Sequence, residues 1–350
     1  MTQLARSEDG TGRVLDRLSQ VSALRGVPTL AERLAHLDRF VRADLAAFGE
    51  ELDALPRGAR AIHQAAHHLL DLRGKHLRPL CVALASRFGA GFTEQARALA
   101  VAVELVHSAT LLHDDVVDLA ERRRGQPAAC TVYGNAASIF AGDWLLVAAL
   151  RKIRGSGVDV LDKMLTVIDE MIAAESVQLE RRGKITGARE DYFAIVEGKT
   201  AALFRWAMVA GARAAELSPA EETALERYGL HLGVAFQAVD DELDYAMGGT
   251  GKDALADLRE GKVTFPLVVA LERDASLRPR LDELLGDESV SSDTLAEIAA
   301  QVRASGALAA TRALAEEHVQ RALSVLDELP AGAAREALVT VALASLERTS

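Results

Sequence analysis

The sequence is poor in aromatic residues, at 4%, and holds only 8 prolines in 350 residues. Sheets lean on aromatic and β-branched side chains, so the first shortage argues against a β protein. Proline breaks helices, so the second leaves room for long ones. Cysteine is scarcer still. Cys81 and Cys130 form no CxxC pattern, which excludes a disulfide framework or zinc site and reads as two reduced thiols. The most apolar stretch, 98–112, is interrupted by Glu104 and His107, and it is too short and too polar to cross a bilayer. The N-terminal stretch MTQLARSEDGTGRVLDRLSQ lacks the apolar core of a signal peptide. A soluble, cytoplasmic chain with no transmembrane segment is expected. Positive charge is not in excess either. The formal net charge is −11, which argues against general nucleic-acid binding, because phosphate backbones call for a basic surface. A local basic pocket for a small phosphate ligand stays compatible with it.

What is present favours helices. Ala, Leu, Glu and Arg are abundant, and these are strong helix formers. Residues 1–27 read as a loose arm, with Gly10 and Gly12 and little periodicity before Pro28. From Thr29 onward Leu30, Leu34, Leu37, Phe40 and Val41 recur at spacings of three and four. Pro56 and Gly58 break the pattern, and it resumes up to Gly74. Thr93 is a good N-cap for a long helix through Leu119, which Gly125 and Pro127 then stop. Further helices are expected over 136–153, 160–181, 191–215 and 219–245. The last has a capping box, with Ser218 at the cap, Pro219 next and Glu221 three residues after the cap. Segments 264–271, 295–305 and 307–329 complete the pattern. No strand-period segment and no repeat of fixed length stands out. Residues 28–350 therefore read as one large all-α domain, a helical bundle.

Two stretches carry unusual charge. ATLLHDDVVDLAERRRG ends an apolar helix with Asp114, Asp115 and Asp118, and FQAVDDELDY does the same with Asp240, Asp241 and Asp244. Residues four apart share a helix face. One DDxxD taken alone reads more readily as a solvated helix end. Acidic residues at a helix C-terminus, however, oppose the macrodipole. Two matching clusters after apolar runs therefore suggest a bound cation. Carboxylate oxygens suit Mg²⁺, which prefers a few carboxylates plus substrate phosphates over a closed protein cage. Cationic residues accompany them: Lys75 and Arg78 in GKHLRP, His107 two turns before the first cluster, and Arg123 and Arg124 after it. Arginine forks match phosphate oxygens, and lysine binds them as a point charge. Lys252 and Lys262 follow the second cluster and would offset a diphosphate there. GGTGKD is not a phosphate loop, because Asp253 follows Lys252 and no strand precedes it. His63 and His67 lack a third ligand and read as structural.

In family order, GKHLRP, HSATLLHDDVVD, RRGQP, GNAASIFAGDWLL, GKTAALF, FQAVDDELDY and GKDALADLREGKVTFP resemble the motifs of the trans-polyprenyl diphosphate synthases, over roughly residues 60 to 270. The motifs look most like those of the bacterial long-chain enzymes. The resemblance implies an isoprenoid-synthase helical bundle with a central cavity, a homodimer and three Mg²⁺ ions. It implies joining of isopentenyl diphosphate to an allylic diphosphate, with farnesyl or geranylgeranyl diphosphate as expected starters, and peripheral membrane contact for product release. Carried over, Asp114, Asp115, Asp118, Asp240, Asp241 and Asp244 would hold Mg²⁺. Arg123, Lys199 and Lys252 would bind the allylic diphosphate, and Lys75, Arg78, His107 and Arg124 isopentenyl diphosphate. Lys199, Thr200 and Gln237 would face the allylic cation.

The sequence departs from the pattern at His76, where a basic residue is common, at Ala128, where a hydroxyl is common, and at Glu242, where an apolar residue is usual. Product length is expected to depend on Ala109 and Thr110, just before the first cluster, with Val106 one turn deeper. All are small enough to leave a tunnel open, which favours a product of twenty carbons or more. Two other readings stay open. A terpene cyclase on the same fold would not need Lys75 and Arg78. A non-catalytic subunit of a heteromeric synthase could lose its aspartates, and this chain keeps all six.

Overall fold

The computed structural model describes residues 28–72, 74–184, 189–245, 255–285 and 292–348. The expected N-terminal arm, 1–27, and Lys252 lie outside the described residues. The helices are α1 (Pro28–Asp53), α2 (Ala61–Asp71), α3 (Leu77–Ser86), α4 (Glu94–Val117), α5 (Ala129–Tyr133), α6 (Asn135–Arg154) and α7 (Val158–Arg181). They continue with α8 (Arg189–Ile195), α9 (Ala202–Ala214), α10 (Pro219–Tyr245), α11 (Ala256–Arg259) and α12 (Phe265–Arg273). The last are α13 (Leu277–Leu285), α14 (Ser292–Ala304), α15 (Ala307–Val325) and α16 (Ala333–Leu346). Among the described residues the strands are two pairs, β1 (Arg122–Arg123) and β2 (Gln126–Pro127), so the protein is all-α as expected. No helix among them is long and apolar enough to cross a membrane.

Two compact units divide the described chain. One takes the residues up to Met164, Trp206–Glu226 and Leu326–Ala344; the other takes Leu165–Arg205, Arg227–Val325 and the residues from Ser345. The chain passes from one to the other five times, always within helical segments. Composition therefore marks no boundary.

In the first unit α4 is the central element. Leu99 to Val106 are each at most 4% exposed, Glu104 included. A helix with no polar stripe has to be covered on all sides, and α1, α3 and α6 pack against it. Thr93 Oγ1 accepts the first-turn amide of Ala96 at 3.2 Å, as its cap position predicts. Small residues let α6 come close. Ser138 Oγ donates to Leu112 O at 2.9 Å, and a Cβ on Gly142 would sit 2.3 Å from His113 Nε2. The capping box of α10 is reciprocal: Ser218 N donates to Glu221 Oε2 at 2.9 Å, and Glu221 N donates to Ser218 Oγ at 3.3 Å. His67 Nε2 meets Pro56 O at 3.1 Å, and the His63 ring lies 4.9 Å from that of Trp144, so both histidines have structural surroundings.

In the second unit the C-terminal half of α10 packs with α8, α12, α14 and α15 around Tyr192, Val234, Phe265, Val268, Ile298 and Val302. Three sequence expectations change. The helix expected over 191–215 is interrupted by a π-helical segment, Val196–Ala201, between α8 and α9. The helix expected to reach Leu119 ends at Val117, with Asp118 as its cap and Leu119 at φ +52°. Helices α3 and α16, LRPLCVALAS and AAREALVTVALASL, lie outside the expected helical segments; both are largely apolar and mostly buried.

Helices α10 and α15 meet at two histidines, with His231 Nδ1 3.3 Å from His318 Nδ1 and the Phe193 ring stacked on His318. Burial first, then His231 and Arg321, holds His318 down at about 4. Its folded value lies below its unfolded one, so nothing is lost above about pH 6.5. Below that the unfolded chain takes up the proton first, and stability falls until about pH 4. Urea unfolding at pH 7.5 and pH 5 should show this loss in the native protein, and His318→Gln should reduce it. An equal pH dependence in the two proteins would refute the assignment.

Candidate active site

The first aspartate cluster closes α4 in the first unit. Asp114 and Asp118 are half-buried, and Asp115 is 0% exposed. Arg123 holds the buried carboxylate, with Nε donating to Asp115 Oδ1 at 2.8 Å and Nη2 closing on the same oxygen. The second oxygen, Asp115 Oδ2, is buried and accepts no hydrogen bond among the described residues. Such an atom is costly unless something else satisfies it.

Arg123 reaches Asp115 because RRGQP folds as a hairpin. Arg122 pairs with Pro127 and Arg123 with Gln126, and the two turn residues have φ +51° (Arg124) and +77° (Gly125). Two positive φ values define the hairpin turn that matches strand twist. A non-glycine residue at positive φ is strained, and here the strain accompanies an aimed side chain. Arg124 lies over Gly74, where a Cβ would come within 2.6 Å of its Nη2.

The basic residues expected at separate motifs gather around one buried acid. His76, itself left-handed at φ +45°, brings Nδ1 to 3.1 Å from Glu104 Oε1. Burial alone would raise the Glu104 acid, but His76, His107 and Arg124 hold it down at about 2. His107 is pushed well below its ordinary value, by burial first and then by Arg78, with Arg124 and Arg123 adding to the effect. Arg78 and Arg124 therefore set an electropositive surrounding for the uncharged His107 imidazole, with Lys75 between Gly74 and His76 in the chain. Beside His107 in the chain, Val106 and Ala109 are at most 2% exposed, and Thr110 Oγ1 donates back to His107 O at 2.8 Å.

In the second unit the π-helical segment carries Lys199 and Thr200. Gly198 and Gly233 allow close neighbours: a Cβ on Gly198 would meet Ala174 Cβ at 2.7 Å and Glu170 O at 2.9 Å, and one on Gly233 would meet Ala201 Cα at 2.5 Å. Such π segments recur at functional sites, because the extra residue re-aims the side chains. Lys199 Nζ pairs with Glu175 Oε2 at 2.6 Å. Thr200 Oγ1 donates to Gln237 Oε1 at 2.9 Å, Gln237 Nε2 donates to Asp241 Oδ1 at 2.8 Å, and Phe265 N donates to Asp241 Oδ2 at 3.1 Å. The relay thus ties the π segment to the second aspartate cluster.

Asp241 is 2% exposed, and its acid is pushed up to about 8, by burial first and by the charge of Asp257 next. Burial and Asp241 push the Tyr192 phenol well above its ordinary value. Asp244 is half-buried. Asp240 pairs with Arg348, whose guanidinium is 2.8 Å away. Lys262 Nζ pairs with Glu260. Four residues of these networks were not legible as site residues: Glu104, Glu175, Tyr192 and Arg348. Glu104 has a signal, a lone acid inside an apolar helix; the others have none in the local sequence.

Hard carboxylate oxygens, one of them buried and unpaired at Asp115, fit a hard divalent cation. Among the described residues no three His, Cys, Asp or Glu side chains form a ready-made cage. An ion that keeps waters and takes phosphate oxygens needs none.

The sequence model of the Polyprenyl synthetase family matches residues 59–302. The octaprenyl diphosphate synthase of Escherichia coli (strain K12) is 34% identical over 301 residues, 85% of this chain and 93% of that protein. A short chain isoprenyl diphosphate synthase of Methanothermobacter thermautotrophicus is 35% identical over 293 residues, 81% of this chain and 90% of that protein. Among solved structures, a polyprenyl synthase of Caulobacter crescentus CB15, complexed with calcium and isoprenyl diphosphate, is similar at a TM-score of 0.85. It is 35% identical, over 90% of this chain and 98% of that one. The chain belongs to the polyprenyl synthetase family and is a prenyltransferase with that family's all-helical fold.

Gly198 is a direct test of how the π segment is held. Gly198→Ala forces a methyl into the Ala174 contact, and overpacking of this kind costs about 1–3 kcal/mol. Thermal unfolding should show the loss, and activity should fall with it as Thr200 and Gln237 separate. An unchanged melting temperature would refute the tight contact.

Proposed function

We propose that this prenyltransferase condenses isopentenyl diphosphate head-to-tail with an allylic diphosphate, in a Mg²⁺-dependent reaction, to give an all-trans polyprenyl diphosphate of twenty carbons or more. One observation carries the reading. Arg78, Arg124 and the uncharged imidazole of His107, with Glu104 among them, gather in the unit that also holds Asp114, Asp115 and Asp118. A second diphosphate site is what a condensing enzyme needs and a terpene cyclase does not.

In this reading Asp114, Asp115 and Asp118, and separately Asp240, Asp241 and Asp244, would hold the metal. When bound, the ion supplies charge stabilisation to the departing diphosphate. Arg123 fixes Asp115 in place and lies beside the expected allylic diphosphate. Lys199 adds positive charge from the π segment, joined by Lys252 and Lys262. Lys75, Arg78, His107 and Arg124 grip isopentenyl diphosphate and hold its alkene close to the allylic carbon, which lowers the entropic part of the barrier. The Thr200 hydroxyl and Gln237 amide present fixed dipoles to the developing cation, an arrangement that stabilises charge without reorganisation. The released diphosphate takes the proton that restores an alkene.

Ala109 and Thr110 lie one turn before the cluster, with Val106 one turn deeper, and leave room for a growing chain. We also take the enzyme to be a homodimer. On α6, Phe140 is 59% exposed and Val147 45%, and on α7 Leu165, Ile172 and Leu179 recur every seventh residue with 44–60% exposure. Apolar helix faces of this kind call for a partner.

Mass analysis of products from farnesyl diphosphate, isopentenyl diphosphate and Mg²⁺ tests the reading. Chains of twenty carbons or more are expected, and a fifteen-carbon end point from dimethylallyl diphosphate would overturn the length. Ala109→Phe should shorten the product while leaving the first condensation active. Asp115→Ala should lower kcat by about a hundredfold or more, as loss of a transition-state charge partner does. Arg78→Gln should chiefly raise KM for isopentenyl diphosphate.

A further inference from the structure

The last described residue of the chain sits on the second aspartate cluster. Arg348 is 9% exposed and places a guanidinium nitrogen 2.8 Å from Asp240 Oδ1. Its guanidinium carbon lies 3.7 Å from the centroid of the Phe236 ring. Phe236 and Asp240 are one turn apart on α10, so ring and carboxylate form a two-point cradle for a planar cation. The guanidinium is not fully satisfied there, since Nε and Nη1 are buried without a hydrogen-bond partner among the described residues. A buried cation with spare donors is costly, so the placement has to be held by something else.

Arg312 on α15 supplies that hold. Its Nη1 donates to Leu346 O at 2.6 Å, and its guanidinium lies 3.6 Å from Glu242 and 3.7 Å from Glu347. Arg312 therefore staples the residues just before Arg348 to α10 beside the cluster. Glu242 stands where the related motif usually has an apolar residue, and here its carboxylate is one jaw of the staple.

We propose that Arg348 is a built-in counter-cation for the second aspartate cluster, seated by the Glu242–Arg312 staple, and that it competes with the divalent ion for Asp240 until diphosphate arrives. Before substrate binds, the guanidinium neutralises Asp240 and keeps the cluster from filling with metal alone. Metal arriving with diphosphate brings enough charge of both signs to displace it. This inference rests on the metal role assigned to Asp240, Asp241 and Asp244 above.

The test is a Mn²⁺ titration of the full-length protein without substrate, followed by the electron paramagnetic resonance signal of the free ion. Asp114→Asn and Asp118→Asn are present throughout, to weaken binding at the first cluster. Arg348→Gln should bind Mn²⁺ about three- to tenfold more tightly, the range expected on removing a charged hydrogen-bond competitor. Arg312→Gln should shift affinity the same way by less, which covers the case that Arg348→Gln folds poorly. Arg348→Lys, which keeps the charge, should stay near the parent. Unchanged or weaker Mn²⁺ binding in both glutamine variants overturns the counter-cation. Weaker binding of inorganic diphosphate in Arg348→Gln, with Mn²⁺ affinity unchanged, overturns it in favour of a plain diphosphate grip. Absence of Mn²⁺ binding in every protein, with and without inorganic diphosphate, instead overturns the metal role of the cluster.

Discussion

Carboxylates repel one another, and they resist leaving water. That double penalty shapes the two aspartate clusters and much of what surrounds them. Each unit meets it with a different device. Asp115 is fully buried and is offset by Arg123 from the hairpin. Asp240 is offset by Arg348 from the far end of the chain. Asp241 has hydrogen bonds from Gln237 and Phe265 but a second acid, Asp257, nearby, and its acid rises to about 8. The same penalty acts on Glu104, where His76, His107 and Arg124 hold the acid down at about 2.

Aiming these groups takes unusual backbone as well as charge. Arg124 and His76 adopt positive φ, and Lys199 and Thr200 ride on a π segment instead of a regular helix. Strain of this sort persists only where the surroundings over-determine it. Here the surroundings are identifiable. Gly74 leaves space for Arg124, Gly198 and Gly233 let neighbouring helices approach the π segment, and the Thr200–Gln237–Asp241 relay ties that segment to α10. At Gly198 and Gly233 glycine is a packing requirement, because a Cβ would overlap backbone atoms.

Much of the fold was legible because many helices are amphipathic and two of the longest carry cap sequences. The Thr93 cap and the Ser218–Glu221 box form as their spacing implies. Helices α3 and α16 were not legible because they are largely apolar, and a short apolar run does not by itself declare a helix. The break at Val196–Ala201 left no trace either, because a π insertion changes hydrogen-bond register and not composition. Among candidate site residues, the aspartates, Arg78, His107, Lys199, Thr200 and Gln237 were readable from motif and charge. Glu242, which departs from the usual apolar residue of the motif, is paired with Arg312. That pairing spans 70 residues of sequence, beyond any local pattern.

By itself the sequence determined the helical class, both DDxxD faces, the basic residues near the first of them and the small residues one turn before it. These are local properties: propensity, period and spacing act within one element. Tertiary structure alone decided that Arg123 folds back on Asp115, that His76, His107 and Arg124 gather around Glu104 and that Arg348 closes on Asp240. Each of those depends on separate elements meeting at hydrogen-bond distance, and a charge finds its counter-ion only after packing has chosen which surfaces meet.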